Sequence, residues 1–149
     1  MMQQPAPRIG GILETCLYAP NLLETANFYE HVLRLEVFAR MTDRHVFFRC
    51  GQAVFLLFDP QQTALPKGDV PGHGASGEGH VAFAIPEAEL DSWRARFARE
   101  GVQIEAEVNW PVGGVSLYVR DPAGNSVELA TPSIWAISEE VFRADRPER

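Results

Sequence analysis

Hydrophobic and polar positions along the chain switch between the period of a strand and that of a helix, and they do so twice. From Ile9 to Ala19 the residues are rich in Ile, Leu, Thr, Cys and Tyr, and the run stops at Pro20, which predicts a strand. Asn21 with Glu24 three positions on predicts a capped helix start. Behind it Leu22, Ala26, Tyr29 and Leu33 form an apolar stripe at helical spacing. Three short strands follow in the pattern, at 35–40, 45–49 and 53–58, with Cys50-Gly51-Gln52 as the turn between the last two. The order then recurs. Residues 79–85 (GHVAFAI) read as a strand ending at Pro86. Residues 87–100 read as a helix with Leu90, Trp93 and Phe97 on one face, stopped by Gly101. Strands are expected at 102–108, 116–120 and 126–130, the last two joined by Asp121-Pro122-Ala123-Gly124-Asn125. The tail after Pro132 carries a possible further helix start at Ser138-Glu139-Glu140.

The order is therefore β-α-β-β-β, repeated. Glu14 lies six positions before Pro20 and His80 six before Pro86; matching Gly51 to Gly124 then aligns Phe55 with Glu128. Between the halves, residues 59–79 are dense in Pro and Gly, which predicts a functional loop or a linker. Within it Gly72-His73-Gly74-Ala75-Ser76-Gly77 matches GxGxxG literally. It follows a Pro-rich loop and precedes a strand, so it lacks the strand-then-helix context of a phosphate cradle. We expect an α+β fold of paired βαβββ modules forming a cupped mixed sheet. One domain is expected over 9–132, with modules at about 9–58 and 79–132, a loose leader before it and a tail over 133–149.

Composition narrows the function classes. The 149 residues carry a net charge of −7, from 13 Lys+Arg against 20 Asp+Glu. That sign disfavours nucleic acid and anionic membrane surfaces as partners. Two cysteines, Cys16 and Cys50, form no CxxC or CxxH pattern, which excludes a structural zinc knot and suits a reducing cytoplasm. No apolar run reaches the ~18–20 residues of a membrane span, and the N-terminus has no signal pattern.

Candidate chemistry follows from the period-two alternation of strands. With Val81, Phe83 and Ile85 under the helix, His80, Ala82 and Ala84 line the opposite face. The same reasoning puts Glu128 opposite Val127 and Leu129, and Glu14 opposite Leu13 and Leu17. If the two open faces meet, Glu14, His80 and Glu128 converge from three strands. Two carboxylates and an imidazole in an apolar cup need a neutralising charge, and a divalent cation supplies it. Fe, Mn, Ni, Co and Zn all suit such ligands. The competing readings are an exposed strand carboxylate for Glu14 or Glu128 and a buried hydrogen-bonded histidine for His80. Tyr118 is a candidate hydrogen-bond donor to substrate or a packed aromatic. Arg120 is a candidate anion holder at the rim or a surface ion pair. His73 is a candidate acid–base group on a loop that closes over the cup, or a solvated histidine on a plain connector. Phe47, Phe55, Leu57 and Trp110 are pocket-wall candidates with core packing as the default.

The segments ILETCLYAPNLLETANFYEHVLRLEV, GHVAFAI and SLYVRDPAGNSVELATP together resemble the vicinal-oxygen-chelate superfamily. This group includes glyoxalases, extradiol dioxygenases, fosfomycin-resistance proteins and bleomycin-binding proteins. The resemblance covers residues 9–132. It implies βαβββ modules, a homodimer, a small-molecule substrate and metal ligands at Glu14, His80 and Glu128. The fourth ligand of the glyoxalases would fall near Phe55, which cannot ligate, and Glu14 stands where His is more usual. The tyrosine of SLYxxD faces the metal in similar proteins, which implies the same for Tyr118. The resemblance thus implies a metal-dependent enzyme, with dioxygenase-like or lyase/isomerase-like chemistry by Lewis-acid activation. The alternative is a non-catalytic protein of the bleomycin-sequestering kind, to which the acidic charge and Phe55 are suited.

Overall fold

The computed structural model describes residues 6–143. The first five residues of the expected leader and the last six of the expected tail lie outside that range. Two four-stranded mixed sheets form, each with one helix-bearing module around it. The first holds β1 (Glu14–Tyr18), β2 (Glu36–Met41), β3 (His45–Cys50) and β4 (Ala53–Phe58), in the order β1-β4-β3-β2. The second holds β5 (His80–Ala84), β6 (Ala106–Asn109), β7 (Val115–Arg120) and β8 (Ser126–Ala130), in the matching order β5-β8-β7-β6. In each, the first strand runs parallel to the last and the remaining pairs are antiparallel. The repeat read from the residues is thus a repeat of topology.

Several elements differ from the pattern. β1 starts at Glu14 rather than Ile9, because Ile9, Ile12 and Leu13 lie exposed with little to pack against. α1 (Leu22–Asn27) lacks the expected reciprocal cap: the Asn21 side chain donates to Glu24 Oε2 at 3.1 Å instead of accepting from the helix backbone. The helix then widens into a π-helical turn over Phe28–Val32, whose end is marked by Leu33 N–H donating to Phe28 O at 3.2 Å. The long breaker-rich segment contains a short helix, α2 (Pro60–Ala64). Asp59 caps it by accepting from Gln61 N and Gln62 N, both at 2.9 Å, and Pro60 occupies the first turn, where no N–H is required. The second module's helix opens as a 3₁₀ turn (Glu87–Glu89) and continues as α3 (Leu90–Arg99). The tail forms two 3₁₀ turns, Pro132–Trp135 and Glu139–Phe142.

One hydrophobic core serves both modules. Leu17, Phe48, Phe55 and Leu57 from the first and Val81, Phe97, Leu117 and Leu129 from the second belong to it. Tyr29 and Phe55 of the first module lie 6.3 and 5.5 Å from the Phe83 ring. Arg96 of α3 donates to the carbonyls of Val32 and His31 at 2.6 and 2.5 Å. The modules of one chain therefore meet through their helix-bearing sides. Glu14, Cys16, His80, Ala82 and Ala84 stay exposed on the other sides. Among the described residues no helix is long and apolar enough to cross a membrane.

Candidate metal centre

His80 opens β5 and Glu128 stands mid-way along β8. The parallel register pairs His80 with Ser126 and Ala82 with Glu128, so the two side chains share one face, two residues apart. His80 Nε2 lies 3.3 Å from Glu128 Oε2. Glu128 is 6% exposed, whereas the His80 side chain is half open to solvent. The other nitrogen of His80, Nδ1, sits 3.1 Å from the carbonyl oxygen of Ser126. A carbonyl can only accept, so Nδ1 carries a proton, and with Nε2 unprotonated the ring turns that lone pair toward the carboxylate. Two acceptors facing each other require a proton or a cation to reconcile them. Donor atoms held ~2.0–2.3 Å from one divalent ion at tetrahedral or octahedral angles stand about 2.8–3.8 Å apart. The 3.3 Å separation fits that spacing.

A hydrogen-bond chain fixes the carboxylate. Trp110 Nε1 donates to Ser116 Oγ at 2.9 Å, and Ser116 Oγ donates to Glu128 Oε1 at 2.5 Å. One carboxylate oxygen is thus occupied and the other is turned toward His80. Tyr118 stands opposite Glu128 on β7. Burial, then the Glu128 charge, raise its hydroxyl above the ordinary phenol value, so it remains a protonated donor. Ser116 and Trp110 were not singled out for this role in the residues. Period-two alternation back from Tyr118 marks Ser116 on the same face; nothing local marks the indole N–H of Trp110 as its donor.

The structure places the other candidates apart from this pair. Among the described residues no group of three His, Cys, Asp or Glu side chains lies close enough to share an ion, so Glu14 does not join His80 and Glu128 within one chain. Glu14 is exposed at the start of β1, on the outer face of the first module. His73 is held on that same face, its Nδ1 2.7 Å from the Tyr18 hydroxyl and its ring 4.7 Å from Phe58. The loop around it packs on α2: His73 N–H donates to Thr63 O, and a Cβ at Gly72 or Gly74 would come within 2.8 Å of the carbonyl oxygens of Ala64 and Pro60. Arg120 is engaged at the rim by Glu105, at 2.8 and 3.2 Å, and by Glu78 at 3.2 Å.

The alignment of Phe55 with Glu128 is corrected by the register. β1 pairs Glu14 with Val54 just as β5 pairs His80 with Ser126, so two residues further on the counterpart of Glu128 is Leu56. Phe55 points to the core, 4.7 Å from Tyr29 and 5.7 Å from Phe48. Leu56 is no more able to ligate than Phe55. Leu57 is buried in the core and Phe47 stacks on His45 on the outer face.

Residues 11–129 match the model of the Glyoxalase/Bleomycin resistance protein/Dioxygenase superfamily. The chain belongs to this superfamily. A solved structure of a lactoylglutathione lyase from Agrobacterium tumefaciens is 40% identical, covers 88% of this chain and 100% of its own, and superposes with a TM-score of 0.83. The metallothiol transferase FosB of Shouchella clausii is 25% identical over 134 residues, 85% of this chain and 83% of its own. The fosfomycin resistance protein FosX from Listeria monocytogenes is 23% identical, covers 82% of this chain and 91% of its own, and shares the fold at a TM-score of 0.63. The glyoxalase-superfamily fold thus holds for both modules.

Proposed function

We propose that this chain is a metal-dependent enzyme acting on a small oxygenated substrate, with lyase- or isomerase-type chemistry. The observation that carries the reading is the His80–Glu128 pair: a fixed imidazole tautomer and an anchored carboxylate 3.3 Å apart, aimed at one point. The likeness to the lactoylglutathione lyase at 40% identity supports the lyase class, and the metal in the name of FosB supports the cofactor. His80 and Glu128 of one chain would hold the ion, and Glu14 of a second copy would complete its ligands. Among the described residues, the helix-side packing of the two modules gives Glu14 no ligand partner from its own chain. A homodimer in which the outer face of one first module covers the second module of its neighbour supplies that partner.

A divalent ion bound there supplies Lewis acidity toward substrate oxygens. Tyr118 donates a hydrogen bond to a substrate oxygen beside Glu128. Glu14 and Tyr18 have the same parity on β1, so the face that delivers Glu14 also delivers the Tyr18–His73 pair. His73, hydrogen-bonded to that phenol, then takes or returns a proton at the substrate. Arg120 shapes the rim; an anionic substrate group reaches it by displacing Glu78.

Complementation between variants tests this reading. Glu14→Ala and His80→Ala proteins should each bind divalent metal poorly. Mixed under conditions that exchange subunits, they should regain one strong site per heterodimer, measured by metal titration. A mixture that stays empty while wild type binds would show that the site does not span two chains. Wild-type protein with no affinity for divalent ions would favour the ligand-sequestering reading.

A further inference from the structure

The turn Asp121–Asn125 ties four elements together beside the candidate centre. Asn125 is 1% exposed and uses its whole amide: Oδ1 accepts from Gly79 N at 2.7 Å, and Nδ2 donates to Tyr18 O at 3.2 Å and to Asp121 Oδ2 at 2.9 Å. Asp121, 4% exposed, accepts the backbone N–H groups of Ala123 and Asn125 on Oδ1, both at 2.9 Å. Its Oδ2 accepts the Tyr29 hydroxyl at 2.7 Å. Gly79 is pinned on both sides, since its carbonyl also accepts Ser126 N at 2.9 Å. A Cβ there would force its neighbours to shift. A methyl would stand 2.7 Å from Leu17 Cδ2 and 3.2 Å from Asn125 Oδ1.

His80 follows Gly79 directly, and Ser126, whose carbonyl meets His80 Nδ1, follows Asn125 directly. Both partners of that contact are first residues of their strands, where ladders fray. Nothing in the ladder holds an imidazole on the Ser126 carbonyl; the fixed ends of the two strands do.

We propose that Asn125 is a positioning residue for His80: by holding Gly79 against the Asp121–Asn125 turn, it locks the imidazole as the Nδ1–H tautomer. Its consequence for metal affinity rests on the reading of His80 as a ligand. Orientation of a ligating histidine by an outer hydrogen bond is typically worth ~10–100-fold in affinity.

The test uses the metal-free full-length protein at alkaline pH, where the ring is neutral. Long-range proton–nitrogen correlation reads the tautomer of His80, and Zn²⁺ titration reads affinity. Wild type should show a single Nδ1–H tautomer. Asn125→Ala should show a tautomer mixture and Zn²⁺ binding weaker by about tenfold or more. Tyr29→Phe removes the bond to Asp121 but leaves Asn125 on Gly79, so it should melt earlier and keep both the tautomer and the affinity. If Asn125→Ala does not fold, Asn125→Ser provides the same readout with a shorter side chain. A folded Asn125 variant with wild-type tautomer and affinity overturns the proposal. Equal losses in Tyr29→Phe would do so too, because general loosening would then explain them. Wild type with the single tautomer but no Zn²⁺ uptake leaves the positioning role standing and overturns the metal reading alone.

Discussion

His80 and Glu128 meet because residues of equal parity on adjacent parallel strands share a face, a relation visible in GHVAFAI and SVELA before any coordinates. The alignment of Phe55 with Glu128 missed by one residue for a different reason. The β3–β4 hairpin turns in two residues, Gly51-Gln52, while β7 and β8 are joined by five, Asp121–Asn125. Matching the glycines of turns of unequal length slid the register by one, and a one-residue slip exchanges sheet faces. Two expectations belong to this scale. Glu128→Gln keeps the shape but removes the charge, so calorimetric titration should show divalent-metal affinity falling by more than the ~10–100-fold of an outer hydrogen-bond loss. Ser116→Ala leaves the Trp110 N–H and a buried carboxylate oxygen without their partner, so chemical denaturation should report a loss of about 1–3 kcal/mol.

Strands and helices of the repeat were legible because their periodicity is strong. The short α2 was hidden by the surrounding breakers, although Asp59-Pro60 is itself a start signal with the cap before the proline. Asp59→Ala should cost about 1 kcal/mol in denaturant unfolding, since two backbone N–H groups lose their acceptor. The turn before β7 is more demanding. Gly114 has φ +90°, and a Cβ there would stand 2.6 Å from Ser133 Oγ and Thr131 Oγ1 and 2.7 Å from Ile134 Cγ2. Gly114→Ala combines a left-handed backbone with that crowding, so thermal unfolding should begin at clearly lower temperature than in wild type.

At the scale of the molecule, the sequence left open whether the two open faces meet within one chain or between two, and a single chain joins its modules by their helix-bearing sides. Periodicity states which face of a strand is apolar; it does not state which module covers that face. Tyr29 is the buried link of this joint. Burial foremost, and then Asp121, hold its phenol well above the ordinary value of 10.0. The folded state therefore retains this proton more tightly than the unfolded chain. That contribution is whole below about pH 10 and is lost as pH rises beyond it. Melting temperature should fall above pH 10 in wild type, and Tyr29→Phe should flatten the fall.

The central claim is a divalent ion held by His80 and Glu128. Anomalous diffraction from crystals grown with Mn²⁺ or Zn²⁺ tests it most directly. The account predicts one peak ~2.0–2.3 Å from His80 Nε2 and a Glu128 carboxylate oxygen, with Glu14 of a second copy beside it. Crystals in the same ion with no peak at this pair, or with the ion bound elsewhere, would contradict it.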